Sequence, residues 1–343
     1  MPSRETFAYR RALKLRAQRA VESEDNSAVD NVFARAQDDF LTFCTVLDKP
    51  PAQHMLEWHR HLITGESNKY LLDIAGPNLD ILAPRGSAKS TVLNLFTAWV
   101  IGRHTTQQRP LQIIYCSYNI ATAIPKSRII KQIIDSSTFR KIFPKVQLRQ
   151  GMQSDVGWSI DFDYAGISRV GDEEFTLRAA GLRGSITSKR AHLVIVDDPI
   201  KSSSDIKNPA IREEMNNNWS SVIAPIVFEG GRSICLGTRF HPLDIHKTMF
   251  SPQKGWKQVS QEAITYDDSG EPISYWPNQW SVDYLMQQKE LDPVAFAYQY
   301  QQSPVMTSDL VLSPDLIVKG EVVTEFDSLA VGIDLSASKN ETS

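Results

Sequence analysis

Cysteine is scarce. Cys44, Cys116 and Cys235 are the three in 343 residues; they stand far apart beside apolar neighbours, and no two form a C-x-x-C pair. That usage excludes a disulfide framework and a paired-thiol zinc site, and fits reduced, buried thiols in a cytosolic protein. Also missing is any apolar run near the ~18 residues that a membrane span needs. The N-terminal stretch MPSRETFAYRRALKLRAQRA lacks the apolar centre of a secretion signal. A soluble, cytosolic chain without membrane contact is expected. There is no surplus of positive charge either: 37 Lys and Arg stand against 40 Asp and Glu, for a net charge of −3. A protein that coats nucleic acid non-specifically is usually basic overall, so any such contact must come from a local patch. Internal repeats and low-complexity tracts are absent too.

What is present is an alternation of buried strands and helices. Residues 4–20 carry Arg4, Arg10, Arg11, Lys14, Arg16 and Arg19, followed by the acidic ESEDNSAVDN. This arm, residues 1–30, suits docking to DNA or to a partner protein, and equally suits a solvated terminal helix. From Asn31 to Gly65 the spacing of Phe33, Phe40, Phe43, Leu56 and Leu62 is helical, broken at Pro50 and Pro51. YLLDIAG, DILAP, LQIIYCSYN, HLVIVDD and GRSICLGTRF read as strands, with helices over STVLNLFTAWVIGRH and, despite Pro125, IATAIPKSRIIKQIIDSS. Apolar strands interleaved with helices predict an α/β domain over residues 31–250, with a mainly parallel sheet covered on both faces. Residues 251–320, rich in Pro, Trp and Gln, suggest a smaller helical appendage; residues 321–343 begin a fresh strand.

One further shortage falls at the most informative place. APRGSAKST, residues 83–91, nearly spells a phosphate-binding loop, but Ala83 and Ala88 replace its two flanking glycines. The strand before it and the helix after it are the context such a loop requires. There, successive backbone N–H groups and the positive end of the helix dipole face the phosphates. The nucleotide-binding set is therefore Ala83, Pro84, Arg85, Gly86, Ser87, Ala88, Lys89, Ser90 and Thr91, with Lys89 neutralising phosphate and Ser90 ligating Mg²⁺. Gly86 remains for the sharpest turn.

HLVIVDDP supplies the second element, an apolar strand ending in two carboxylates. Asp197 is placed to hold Mg²⁺ and Asp198 to activate the attacking water. An Asp-Asp-Pro turn alone would be ordinary turn chemistry; the upstream loop makes the pair an ATP-hydrolysing site. The second acid is more often Glu, so Glu213 or Glu214 stands as an assisting base. Thr238 ends a third strand, placed to sense the γ-phosphate, and is also explained as a polar strand end. His241 before Pro242 reads as a surface residue. Gln53 upstream of the loop can pair with both N6 and N7 of adenine, or simply be solvated. Arg85 can act on the γ-phosphate in cis. Arg183, between glycines, can act in trans, and Arg190 lies nearby; each is also explained by a salt bridge.

Together APRGSAKST, AGLRGSITSKRAHLVIVDDPIKSS, CLGTRFHPLD and WPNQWSVDYLMQQKELDPVAFAYQYQQSPV resemble the ATPase half of the large terminase subunit of tailed bacteriophages. The resemblance runs from about Val32 onward. It implies an ASCE-type, RecA-like fold with a lid subdomain over 251–320, and Mg²⁺ with ATP as cofactor. Double-stranded DNA, the portal protein and a small terminase subunit are the implied partners, with a homo-oligomeric, pentameric ring on the portal, working in the host cytoplasm on assembling procapsids. It further implies a ribonuclease-H-type nuclease whose first strand is LAVGIDLSAS, making Asp334 its first metal ligand. One carboxylate cannot hold the metals of a nuclease, so the sequence looks like part of a longer protein. A helicase-like ATPase would need a second RecA-like domain; a nucleotide-regulated DNA-binding scaffold is the alternative from another class.

Overall fold

Strand β1 (Leu79–Leu82) lies one strand in from an edge of the main sheet, flanked by β7 on one side and the edge strand β8 on the other. The computed structural model describes residues 26–167, 175–184, 186 and 189–304; the basic arm through residue 25, the end of the appendage from 305, the strand over 321–343 and Asp334 lie outside the described residues. Ahead of β1 come helices α1 (Asn26–Asp38), α2 (Phe40–Val46) and α3 (Met55–Leu62). The helical stretch thus breaks at Asp39 as well as at the prolines, because the Asp39 carboxylate accepts from the N–H groups of Leu41 and Thr42 and caps a new helix.

After β1 follow α4 (Lys89–Thr106), β2 (Ile113–Ser117), α5 (Ile120–Asp135), α6 (Ser137–Ile142), β3 (Leu148–Gln153), β4 (Gly157–Ile160), α7 (Phe162–Ala165), β5 (Leu177–Gly181) and β6 (Ala191–Asp197). Then come α8 (Ser203–Lys207), α9 (Pro209–Asn218), β7 (Val227–Gly237), α10 (Ile245–Thr248), β8 (Lys257–Ser260), β9 (Ile264–Tyr266), β10 (Pro272–Ser274), α11 (Val282–Leu291) and α12 (Pro293–Gln299). The main sheet has eight strands in the order β3-β4-β5-β2-β6-β7-β1-β8. From β5 to β8 every pairing is parallel; β3 and β4 are antiparallel additions at one edge. The expected parallel α/β sheet is present. Its β6 is buried at every position, as a strand covered on both faces must be.

Two apolar layers cover the faces. One, around Trp58, Phe96, Trp99 and Phe139, packs the first three helices and α4 to α6; the other, around Met215, Trp219 and Phe250, packs α9 and α10. The strand expected over YLLDIAG is not formed. Its carbonyls are taken by the preceding loop, with Thr64 and Gly65 donating to Asp73 O and Asn68 donating to Leu71 O. Asp73 sits at φ 57, a left-handed turn no strand accommodates, while Leu71 and Ile74 still bury their side chains. Strand β8 also differs from expectation, since it lies beyond the change of texture at Phe250 yet pairs with β1 in the main sheet. After it, the β9–β10 hairpin and α11 and α12 enclose a small core of Ala263, Ile264, Tyr275, Leu285 and Phe296.

Candidate active site

Parallel strands bring their C-terminal ends to one edge, and the chemistry gathers there. At the end of β1 the chain stays in strand-like pairing for one residue more, with Ala83 N–H donating to Gly237 O (2.9 Å). Ala83 is fully buried and its φ is not positive, so alanine in place of the first glycine fits without a special backbone angle. Gly86 has φ +77, and a Cβ there would lie 2.7 Å from Trp280 Cζ2 of the appendage. Ala88 takes the left-handed conformation at φ 61 that the second glycine normally supplies. It precedes α4 without a side-chain cap. The first-turn N–H groups of that helix have no intrahelical acceptor and favour an anion.

Ala88 therefore holds a conformation that costs an L-residue roughly 1–2 kcal/mol. Ala88→Gly is expected to stabilise the fold by about 0.5–1 kcal/mol once the greater unfolded-state entropy of glycine is subtracted. The measurement is the urea midpoint at constant m-value; a lower midpoint would show that the turn is unstrained.

Lys89 points back into the loop. Its Nζ donates to Pro84 O (2.9 Å), Ala83 O (3.2 Å) and Thr238 Oγ1 (2.9 Å), and the Thr238 hydroxyl donates in turn to Ala83 O (2.9 Å). Burial lowers the Lys89 pKa, against the opposing pull of Asp198 and Asp197. Ser90 Oγ donates to Asp197 Oδ1 at 3.0 Å, joining the helix start to the tip of β6. Asp198 follows at φ 47, with its side chain 48% exposed and Oδ1 3.9 Å from Lys89 Nζ. Strained backbone of this kind gathers at functional sites; here the turn buries one carboxylate and exposes the next.

Four partners of this site escaped the reading of the sequence. Tyr115 OH donates to Asp197 Oδ2 (3.1 Å), Ser117 Oγ donates to the Asp197 carbonyl (2.7 Å), and Lys126 Nζ lies 3.3 Å from Asp197 Oδ2. Burial and the neighbouring Asp198 raise the Asp197 pKa, while Lys126 and the hydrogen bonds from Ser90 and Tyr115 oppose the rise. The fourth is His54, whose Nε2 lies 3.2 Å from Ser87 O; burial pushes its pKa down to about 4, so the neutral ring donates. Nothing in the sequence marks these four, because only the folded sheet brings β2, the Lys126 turn of α5 and His54 to the site.

The other expected residues are placed as follows. Arg85 is exposed, with its N–H on Gln299 O (2.9 Å) and Nη1 3.4 Å from Gln299 Oε1. Gln53 is exposed in the turn before α3, next to His54, and Thr91 is exposed on the first turn of α4. Arg183, just past β5, makes a bidentate pair with Glu214 (3.1 and 2.7 Å) and donates to Tyr118 OH (3.1 Å). Glu214 is thereby engaged and Glu213 is exposed. Arg190 donates to Pro225 O. Two further arginines that could serve in trans are Arg239, held by Asp244 in the loop after β7, and Arg149 on edge strand β3.

The Ser90 hydroxyl and Asp197 carboxylate are paired oxygen donors of the kind a hard divalent cation takes, so the residues fit Mg²⁺. Among the described residues a second grouping, Asp80, Cys235 and His246, is compact enough for an ion. Asp80, on β1, already accepts from His246 Nδ1 (3.0 Å) and Gln258 Nε2 (2.9 Å), contacts that tie β1 to α10 and β8 in the interior.

Strand β7 separates the loop strand β1 from the carboxylate strand β6. An extra strand in that place, on a parallel sheet with helices on both faces, defines an ASCE-type α/β domain. No protein-family model matches the chain. The large terminase subunit of Enterobacteria phage T3 is 25% identical over 253 residues, covering 71% of this chain and 39% of that protein. The chain thus resembles the ATPase domain of phage large terminase subunits and spans about 39% of the length of the curated relative it matches. Among solved structures, the ATPase domain of the Thermus phage P74-26 large terminase is 14% identical, with 74% of this chain and 99% of that one covered and a TM-score of 0.42. A large terminase from a thermophilic bacteriophage in complex with ATP-gamma-S is 9% identical, with 74% and 52% covered and a TM-score of 0.41. The phi-29 genome packaging motor assembly is 16% identical, with 64% and 60% covered and a TM-score of 0.31.

Proposed function

We propose that the chain is the ATP-hydrolysing motor part of a viral DNA-packaging machine. The observation that carries this reading is the convergence of Lys89, Ser90, Asp197, Asp198 and Thr238 at the C-terminal ends of β1, β6 and β7. In this reading the loop N–H groups and Lys89 bind the ATP phosphates, and Ser90 and Asp197 hold Mg²⁺. The bound ion supplies neutralisation of phosphate charge. Asp198, exposed and beside Lys89, accepts a proton from the attacking water. Arg85 screens the γ-phosphate in cis, Thr238 relays its presence through Lys89 to the end of β7, and Gln53 selects adenine. The part of the appendage after β8 acts as the lid, with Trp280 on Gly86 and Gln299 on Arg85 as its contacts to the loop.

Double-stranded DNA as substrate, the portal and a small terminase subunit as partners, and a homo-oligomeric ring in the host cytoplasm on assembling procapsids belong to the same reading. So does a metal-dependent nuclease beginning with Asp334 in a longer chain. The similarity to the T3 large terminase subunit supports the terminase part of this reading.

The test is steady-state ATP hydrolysis with and without DNA. Asp198→Asn is expected to bind Mg·ATP normally and to turn over ~10²-fold more slowly, as loss of a general base requires. Normal turnover in that variant, with loss in Glu213→Gln, would move the base to Glu213. Tight nucleotide binding by the wild type without turnover would instead identify a nucleotide-regulated scaffold.

A further inference from the structure

Lys126 was not among the residues expected to carry chemistry, yet its ammonium reaches the most buried carboxylate of the site. Asp197 is 1% exposed and Lys126 is 27% exposed at a separation of 3.3 Å. We propose that Lys126 is a positioning residue for the metal carboxylate, a resident counter-cation that competes with the divalent ion for Asp197. The inference rests on the reading of Ser90 and Asp197 as metal ligands.

The geometry is fixed by more than the ion pair. Helix α5 begins with a reciprocal capping box between Asn119 and Thr122. Its first backbone atoms pack on Gly181, where a Cβ would lie 2.7 Å from Ile120 N and 2.8 Å from Asn119 Cα. One residue before Lys126, Pro125 locks its own φ; one residue after, the buried Ser127 accepts from Trp158 Nε1 (2.9 Å). The turn carrying Lys126 is therefore clamped at both ends, and its side chain is presented to the tip of β6.

The Asp197 carboxylate is clamped as well. Oδ1 accepts from Ser90 and Oδ2 from Tyr115, which leaves Lys126 as the partner carrying formal positive charge. A divalent ion at the same group would repel the ammonium across a few ångströms of poorly screened space. The two cations must then alternate: Lys126 organises Asp197 between turnovers and yields it when the metal nucleotide arrives. The Lys126 side chain is partly exposed, which gives the ammonium a way out to solvent.

The experiment measures Mn²⁺ binding by electron paramagnetic resonance at saturating ADP, on the full chain. Lys126→Met keeps the stem and removes the charge, and it is expected to bind Mn²⁺ about tenfold tighter than wild type because the competitor is gone. Lys126→Arg is expected to restore the wild-type affinity. A merely structural role predicts the reverse, affinity unchanged or weaker in Lys126→Met, and that result overturns the proposal. Lys126→Gln gives the same comparison should the Met variant fail to fold. Failure of the wild type to bind Mn²⁺ with ADP would overturn the nucleotide-site reading as well, whereas equal binding by wild type and both neutral variants removes only the role of Lys126.

Discussion

Replacing Lys89 by alanine is expected to lower ATP turnover by ~10²–10³-fold or more and to weaken nucleotide binding, as loss of a preorganised charged donor does in a water-excluded site. The expectation follows from where the ammonium sits. It is nearly buried, and it satisfies Pro84 O, Ala83 O and Thr238 Oγ1 from inside the loop. Truncation removes the countercharge that an incoming phosphate needs and leaves those acceptors short of a donor. Both effects are shared by Lys89→Met, which keeps the stem but has no donor, so comparing the two variants isolates packing. Both should lose turnover, and the alanine should lose more thermal stability because it also opens a cavity in the loop. Turnover near the wild-type level in either, at saturating Mg·ATP, would sink the assignment of residues 83–91 as a phosphate loop.

How far the site could be read in advance depended on whether its parts were local in sequence. The loop between β1 and α4 was legible because its strand, turn and helix are contiguous. Asp197 and Asp198 were legible because the unbroken apolar run over residues 193–196 leads directly into them. The two alanines looked like defects in the motif. The fold resolves them separately, with Ala83 in strand-like pairing and Ala88 in the left-handed turn.

Tyr115, Ser117, Lys126 and His54 were not legible, since each reaches the site across a strand or helix that only the folded sheet places beside it. The misread segment YLLDIAG teaches the same point from the other direction. Its apolar residues are buried as expected, but the preceding loop competes successfully for its backbone groups, and composition carries no trace of that competition. Strand β8 was obscured by its own sequence: KQVS is half-exposed and polar at an edge, so it lacks the continuous apolar signature of β2 and β6.

Arg183→Ala is expected to lower turnover by ~10³-fold, the contribution of an arginine that reaches the transferring phosphate from outside its own loop. In the chain as it stands, both arms of the Arg183 guanidinium are on Glu214 and Tyr118, and the pair is partly exposed, with the arginine side chain 33% accessible and the glutamate 47%. An ion pair so open to solvent contributes little to stability, and exchanging a carboxylate for a phosphate costs correspondingly little. The bidentate fork that fits Glu214 also fits phosphate oxygens. Glu214 thus reads as a holster for the finger in the unassembled subunit, which disposes of its use as the base. On the proposed reading the finger completes a site only across an interface, so turnover per subunit should rise with protein concentration or on adding portal. Glu214→Gln should leave the assembled rate nearly unchanged. The decisive measurement mixes two inactive proteins: Lys89→Ala subunits keep the finger, Arg183→Ala subunits keep the loop, and an alternating interface restores part of the lost rate. A mixture as inactive as either parent, at concentrations where the wild type assembles, means that Arg183 does not act in trans. Arg190 would then be the strongest remaining candidate, since Arg239 is bound to Asp244 and Arg149 lies on the far antiparallel edge of the sheet.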